Sequence, residues 1–315
     1  MSKPRVLLLS DVRGWAFDQN LQDMAEYCRD FFDFTILYVA EFGAECKHAP
    51  SLMDYDVVFA PYHRWGIDHL LPWDRTLGSL RSQWLFPEKK RRPQQEEFDL
   101  VNQYVAFHVV AKRNYDEYRE ACPRVVYLTN PVNMRRFSEP TPIRGEVIVE
   151  WNGNARHDNM AREDVKGFLS IVQPACRRAG VPLVVAEYNT SRRQPANMPA
   201  FYKQANIAVS ASLYEGASSS CMEAMASGLA LIATDVGNHR EMRDSQLEAY
   251  GETGLLLIDR SIDAFAKALQ SLRANLKLVE RMGEINRHCI ERAWSWSAWA
   301  PGFVEFFKTP LKARR

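Results

Sequence analysis

Short, nearly continuous apolar runs recur along this chain, and each ends in small or polar residues before a segment with helical spacing. Runs of this kind are typical of strands that are buried on both faces of a parallel sheet. When such strands alternate with amphipathic helices, they predict a doubly wound α/β domain. In chain order, the runs that we interpret as strands are residues 5–10, 34–39, 56–60, 104–111, 125–128, 147–151, 183–186, 207–210 and 229–234.

The runs fall into two series, separated by a stretch rich in proline and glycine between residues 129 and 145. A chain of 315 residues is long enough for two domains with separate cores. We therefore expect two Rossmann-like domains, over residues 1–140 and 141–295, and a C-terminal helix within 296–315 that crosses back to the first domain. Between residues 61 and 98 the pattern is irregular, and it predicts loops and short helices.

Composition places the chain among ordinary globular proteins, with 46% hydrophobic and 25% charged residues. The formal net charge of +1 argues against a dedicated nucleic-acid binder with a global positive field. No apolar run approaches the roughly 18 residues of a membrane span, and the N-terminal run is too short for a signal-peptide core. The six cysteines form no C-x-x-C pair, so we interpret them as reduced thiols and expect a cytoplasmic protein.

The most informative stretch runs from Ser210 to Gly237, where a strand is followed by a small-residue turn, a helix and another strand. Open parallel sheets bind ligands beyond the carboxyl ends of their strands, at the N-termini of the following helices. Gly216 and the serines after it leave backbone N–H groups accessible at a helix start, where the helix dipole favours phosphate. Glu215 can accept hydrogen bonds from sugar hydroxyls, and Glu223 from the two hydroxyls of a ribose. The pattern suits a sugar linked to a nucleoside diphosphate.

This stretch resembles the E-x7-E signature of retaining glycosyltransferases of family 4, the group 1 transferases of the GT-B fold. Other segments resemble further motifs of that family and occur in the family's order. They are Asn130–Phe137, Met198–Ser210, Gly237–Glu241, Gly251–Leu257 and Trp294–Ser297. The resemblance covers most of residues 125–310 and is weak before them. It implies two Rossmann-like domains that face a central cleft, with the acceptor bound by the first and the donor by the second.

The resemblance also implies roles for individual residues. Glu215 would hold the donor sugar and Glu223 the ribose, while Arg156 and Lys166 would neutralise the diphosphate. The backbone near the donor would be supplied by Gly14, Gly153, Gly216, Ala217, Ser218 and Ser219. The reaction would retain the anomeric configuration and use neither metal nor cofactor, because the protein itself stabilises the departing nucleoside diphosphate electrostatically. The donor would be a UDP- or GDP-linked sugar.

Two alternatives to a transferase stay open at this point. An epimerase of the same fold would consume a nucleotide sugar without an acceptor, although the E-x7-E pattern gives it no support. A non-catalytic subunit would bind the donor without turning it over, and a serine-rich run after Gly216, where the family has Gly-Phe-Gly, keeps that reading open. The acceptor of a transferase could be a saccharide, a lipid or a nucleic acid.

Side chains outside the signature provide further candidates. His63 follows the third strand and fits a catalytic or acceptor-side role as well as a surface loop. The aromatic and basic segment Trp84–Arg92 suits a peripheral membrane contact, a nucleic acid or a solvated loop. His108 lies inside a strand and is predicted to be a core residue. Asp54 and Asp56 form a D-x-D pattern, but they precede a strand, so we predict no metal site there.

Overall fold

Two compact units make up the chain: residues 1–131 together with 296–315, and residues 132–295. The computed structural model describes residues 2–14, 16–39, 51–61, 72–82, 92–141, 145–155, 164–187 and 195–314. Each unit contains one parallel sheet with helices between its strands, which confirms the predicted class of two Rossmann-like α/β domains. The first unit ends at Pro131, earlier than the predicted boundary at residue 140.

The first unit is built on a six-stranded parallel sheet. Its strands are β1 (Arg5–Ser10), β2 (Asp33–Tyr38), β3 (Val57–Ala60), β4 (Thr76–Leu80), β5 (Ala106–Val109) and β6 (Val125–Tyr127). They lie in the order β2-β1-β3-β4-β5-β6. The chain therefore reverses its direction of winding between β1 and β3, which makes the carboxyl ends of these strands a topological switch point.

Helices α1 (Ala16–Cys28), α2 (Gln95–Val101) and α3 (Lys112–Tyr118) connect these strands. The C-terminal helix (Trp296–Ala313) completes the same unit, although the whole second unit precedes it in the chain. Its buried aromatic side chains share one apolar cluster with side chains of β1, β3 and α1. Those aromatic residues are Trp296, Phe303, Phe306 and Phe307. The core of the first unit thus depends on the last residues of the chain.

Strand β4 lies in the region where the sequence pattern predicts only loops and short helices, so that prediction is wrong. The strand has the sequence Thr-Leu-Gly-Ser-Leu, which carries only two large apolar side chains. A Cβ at Gly78 would lie 2.4 Å from the ring of Phe107 and 2.8 Å from that of Tyr104. The glycine that weakens the strand signal is therefore required by the aromatic packing beside it.

The second unit is built on a five-stranded parallel sheet. Its strands are β7 (Val149–Gly153), β8 (Leu183–Glu187), β9 (Ile207–Ser210), β10 (Ala230–Ala233) and β11 (Leu255–Leu257). They lie in the order β11-β10-β9-β7-β8. The helices are α4 (Gln173–Ala179), α5 (Met198–Tyr202), α6 (Ser219–Ala226), α7 (His239–Tyr250), α8 (Ile262–Arg273) and α9 (Leu276–Ala293). A π-helical turn at Phe168–Val172 directly precedes α4. The sequence analysis assigns neither α7 nor β11.

The proline-rich stretch that the sequence marks as a linker packs closely on the second unit. The backbone N–H of Val132 donates to the carbonyl oxygen of Trp294 at 2.9 Å. Phe137 is buried against Tyr202, with the ring centroids 6.1 Å apart. The guanidinium of Arg287 donates to the carbonyl oxygen of Phe137 at 2.9 Å. These contacts explain why the second unit begins at residue 132.

Candidate functional site

The carboxyl edge of the second sheet brings the predicted donor residues together. The strand order reverses direction between β7 and β9, and ligands of open α/β sheets bind at such a point. Lys166 comes from the segment after β7, and Glu215 from the loop after β9. The loop after β10 contains Gly237 and contacts the turn that carries Glu215.

Glu215 and Lys166 form an ion pair, in which Nζ of the lysine lies 2.5 Å from Oε1 of the glutamate. The same oxygen accepts a hydrogen bond from the hydroxyl of Ser212 at 2.7 Å. Burial would raise the pKa of Glu215, but the charge and hydrogen bond of Lys166, together with Ser212 and the nearby His239, lower it below its ordinary value. The carboxylate is therefore ionised at neutral pH and can accept hydrogen bonds from hydroxyl groups.

Two glycines allow the three loops to approach each other closely. Gly167 has a φ of 67°, and a Cβ there would lie 2.6 Å from the carbonyl oxygen of Ala211. Gly237 has a φ of 54°, and a Cβ there would lie 2.2 Å from the carbonyl oxygen of Gly216. Both conformations and both contacts disfavour any residue with a side chain. The loops after β7 and β10 are thereby held against the turn that carries Glu215.

Helix α6 begins directly after this turn, with Ser218 as the residue before its first turn. Within the described residues, no side chain caps this helix start. The backbone N–H of Ser218 donates to Oδ1 of Asn238 at 3.3 Å, and the helix itself begins at Ser219. Gly216, Ala217 and Ser218 are all buried. An uncapped helix start presents N–H groups and the positive end of the helix dipole to an anion.

Glu223 belongs to a second hydrogen-bonded group, about one turn into α6. The hydroxyl of Tyr202 donates to Oε2 of Glu223 at 3.1 Å. Nδ2 of Asn152 lies 3.4 Å from the same hydroxyl and 3.0 Å from Oε2 of Glu150. Burial raises the pKa of Glu150 to about 8; the hydrogen bond from Asn152 opposes the shift, and negative charge nearby, including that of Glu223, adds to it. A neutral carboxylic acid therefore lies close to Glu223 at pH 7.

Two of the predicted glycines, Gly153 and Gly14, have positive φ angles. Gly153 ends β7 with a φ of 153°, and a Cβ there would lie 3.3 Å from the ring of Trp151. Gly14 lies in the first βα loop of the first unit with a φ of 76°. Its backbone N–H donates to Oδ2 of Asp18 at 2.6 Å, which ties this loop to α1. Whether either glycine contacts a donor stays a prediction.

Some predicted residues lie outside the described part of the chain. These are His63, Arg156 and the segment from Trp84 as far as residue 91; only Arg92 of that segment is described. Their roles stay predictions from the sequence.

The structure adds residues to the site that sequence reasoning did not select. Ser212 and Asn238 contact the turn and the helix start, and Glu150, Asn152 and Tyr202 surround Glu223. Tyr202 lies in the segment Met198–Ser210, which resembles a family motif, so the sequence could have indicated it as a site residue. The contact between Ser218 and Asn238 joins residues that are distant in sequence. The contacts of Ser212 with Glu215 and of Asn152 with Glu150 are local, but they belong to no motif that indicates them.

The D-x-D pattern lies at the amino end of β3, as the sequence indicates. Oδ2 of Asp56 accepts a hydrogen bond from the backbone N–H of Arg5 at 2.8 Å. Across the described ranges, no group of three or more His, Cys, Asp or Glu side chains is arranged to hold a metal ion. In the same ranges, no helix has the length and apolar character needed to cross a membrane.

Comparisons with known proteins bear on both the fold and the site. Residues 188–288 match the family model "Glycosyl transferases group 1", and this range includes Glu215 and Glu223. This match supports a glycosyltransferase. A search of curated protein sequences finds no significant match.

Solved structures of similar fold extend over nearly the whole chain. Sucrose-phosphate synthase from Thermosynechococcus elongatus has a TM-score of 0.71 at 13% identity, covering 99% of this chain and 100% of that one. Anabaena HepE in complex with UDP and glucose has a TM-score of 0.70 at 11% identity, covering 96% and 98%. An α-glucosyltransferase in complex with UDP and a 13-mer DNA has a TM-score of 0.60 at 9% identity, covering 98% and 100%. At these identities the similarity is one of fold.

Proposed function

We propose that this chain is a retaining, metal-independent glycosyltransferase that uses a UDP- or GDP-linked sugar, and that its second unit binds the donor. The observation that carries the proposal is the Glu215–Lys166 ion pair at the switch point of the second sheet. It joins an acceptor for sugar hydroxyls to a cation for phosphate. The group 1 match over residues 188–288 and the complexes of neighbouring structures with UDP support the choice of donor.

In the proposed complex, Glu215 accepts hydrogen bonds from hydroxyls of the donor sugar. Lys166 has its Nζ only 2.5 Å from that carboxylate, so the same ammonium can reach a diphosphate bound at the start of α6. The N–H groups of that helix start and Lys166 would together stabilise the negative charge on the departing nucleoside diphosphate. Arg156 and Gly153 would help to bind the phosphates, and Gly14 would let the backbone of the first unit come close to them.

Glu223 would accept hydrogen bonds from the two ribose hydroxyls. The hydroxyl of Tyr202 donates to Oε2 of this carboxylate at 3.1 Å and so helps to fix its orientation. Retention and independence from metal rest on the resemblance to family 4. The placement in the cytoplasm and a membrane contact through Trp84–Arg92 rest on the sequence.

The first test is release of nucleoside diphosphate from UDP-, GDP-, ADP- and TDP-sugars, without acceptor and in the presence of EDTA. Slow release from one donor is expected, and Glu215→Gln should reduce it by about 10²-fold, a loss near 3 kcal/mol. Glu248→Gln is the matched control, because that glutamate is exposed on α7 of the same unit. The anomeric configuration of a transferred or released sugar, read by NMR before mutarotation, tests retention.

Each outcome of this test has a distinct meaning. Loss of release in EDTA that returns with Mg²⁺ would contradict metal independence. Neither release nor calorimetric binding of any donor would refute the transferase. Binding without release, if it persists with saccharide, lipid and nucleic-acid acceptors, would favour the non-catalytic subunit. Conversion of one nucleotide sugar into its epimer would favour the epimerase.

A further inference from the structure

Buried polar atoms that lack hydrogen-bond partners collect at the carboxyl edge of the first unit's sheet. Among the described residues, those without a partner at this edge are Ser10 Oγ, Asp11 Oδ1, Ser79 Oγ, Arg81 Nε and Nη2, His108 Nε2 and Thr129 Oγ1. They follow or end four strands, β1, β4, β5 and β6. Because more than about 90% of buried polar groups in native proteins have partners, such a concentration indicates that something else satisfies them.

Hydrogen bonds hold the guanidinium of Arg81 in place through one of its three nitrogens, Nη1. Its Nη1 donates to Oδ1 of Asn20 and to Oδ1 of Asn130, both at 2.8 Å. The ring of Phe59 lies 5.8 Å from the guanidinium carbon, and that of Phe17 lies 5.6 Å away. Nε and Nη2, which form the other edge, are buried and make no hydrogen bond to any described residue. This edge is the pair of parallel donors with which arginine binds the two oxygens of a carboxylate or a phosphate.

The groups near Arg81 complement it. Ser79 and His108 are register partners on β4 and β5, so their side chains lie on the same face of the sheet. Nδ1 of His108 lies 3.1 Å from the carbonyl oxygen of Leu128. Burial, and then the charge of Arg81, hold the pKa of His108 well below its ordinary value. The ring is therefore neutral, with its proton on Nδ1, and Nε2 is left as an acceptor.

Asp11 supplies a second acceptor near the guanidinium of Arg81. The two side chains form no direct ion pair. The Asp11 charge acts on Arg81 and opposes the effect of burial, which lowers the pKa of Arg81 to about 9. Arg81 thus keeps its charge at neutral pH without a carboxylate on its free edge. The carboxyl edge of the first sheet therefore offers the paired donors of Arg81 for an anion. Around them it offers acceptors and hydroxyls for neutral O–H groups.

We infer that this edge binds the acceptor of the proposed transferase, and that the acceptor is a hydroxylated molecule bearing a carboxylate or phosphate group that pairs with Arg81. The ligand is called an acceptor because the inference rests on the proposed function. Its binding can be tested without a donor. Nε and Nη2 of Arg81 hold the two anionic oxygens, while Asp11 and His108 accept hydrogen bonds from hydroxyl groups of the same molecule. Ordered water would satisfy the same atoms without any preference for an anion, and this is the alternative to be tested.

Calorimetric titration of the full chain with glucuronate and with glucose 6-phosphate tests the inference, with glucose as the neutral probe and ionic strength held constant. Saturable binding of at least one of the two anions is expected, and glucose should bind at least tenfold more weakly. The anion that binds identifies a carboxylate or a phosphate as the group recognised. Arg81→Lys keeps the positive charge but loses the paired donors, so it should weaken binding of that anion by tenfold or more.

Arg287→Lys is the matched control. The nitrogens of Arg287 are all engaged, with Glu291 and with the carbonyl oxygens of Phe137, Ala226 and Ser138. This variant should bind the anion as the wild type does. The thermal midpoint of each variant is measured alongside, so that lost binding is attributed to Arg81 only in a folded chain.

Three results would overturn the inference: no binding of either anion, equal binding of glucose and the anions, or equal anion binding by Arg81→Lys and the wild type. The third result would place the anion elsewhere, for example near Lys166. A chain that releases nucleoside diphosphate but fails these titrations refutes only this inference. A chain that passes them but neither releases nucleoside diphosphate from any donor nor binds one refutes the proposed function instead.

Discussion

Glutamine in place of Glu150 should make the second unit more stable at neutral and alkaline pH. The Glu150 side chain is 2% exposed, and its hydrogen bond comes from the neutral amide of Asn152. Burial raises the pKa of this carboxyl from its ordinary value of 4.5 to about 8. Glutamine has nearly the same shape and can accept the same hydrogen bond, but it has no proton to lose.

The sign follows from proton binding in the two states. The folded chain keeps the Glu150 proton up to about pH 8, whereas the unfolded chain loses it near pH 4.5. The stability contributed by this carboxyl is therefore fully present below pH 4.5 and falls as the pH rises towards 8 and above. One pKa unit corresponds to about 1.4 kcal/mol, so the loss amounts to roughly 3 kcal/mol at pH 7 and about 4 kcal/mol at pH 8.

Urea-induced unfolding of wild type and Glu150→Gln, followed by circular dichroism between pH 5 and pH 8, measures this difference. The variant's advantage in free energy of unfolding should grow by about 3 kcal/mol across that interval. Glu146→Gln, an exposed glutamate just before β7, should stay within roughly 0.5 kcal/mol of the wild type. A difference between Glu150→Gln and the wild type that stays constant from pH 5 to pH 8 would refute the reasoning.

Three further substitutions probe the second unit. Gly237→Ala should destabilise the second unit by about 2 kcal/mol or more, because the new Cβ would collide with the carbonyl oxygen of Gly216. Urea unfolding measures this, and an unchanged midpoint would contradict it. Asn286→Ala leaves three buried hydrogen bonds unmade and should lower the thermal midpoint by several degrees. Lys166→Met should raise the pKa of Glu215, which a donor-release profile between pH 4 and 8 would report.

Local sequence patterns were sufficient for the strands and helices around the donor site. Strand β9 occupies Ile207–Ser210, as predicted, and α6 is the helix predicted after the small-residue turn. These elements are bounded by small residues and carry clear apolar periodicity, so their signal is strong. Strand β4 was missed because Gly78 and Ser79 interrupt its apolar pattern. The glycine is needed because the ring of Phe107 on β5 leaves no room for a Cβ. Helix α7 was missed because its buried residues are His239, Met242 and Gln246, two of which are polar, so its apolar periodicity is weak.

The candidate site was predictable in part. The residue types and spacing of Glu215 and Glu223 indicated a donor site, and Lys166 was selected through a family resemblance. The distance of 2.5 Å between Lys166 and Glu215 depends on the register of three loops, which Gly167 and Gly237 permit only in the folded chain. The environment of Glu150 is likewise created by tertiary contacts.

The C-terminal helix has a consequence for how the protein is made. Its aromatic side chains belong to the core of the first unit, yet the ribosome adds them only after the whole second unit. At about 5–20 residues per second, the nascent first unit stays incomplete for the many seconds needed to synthesise the second unit. The second unit has no such dependence and can fold as soon as it emerges. Synthesis from the N-terminus therefore completes this protein's second unit first, and termination of translation before Trp296 would leave the first sheet with an open apolar face.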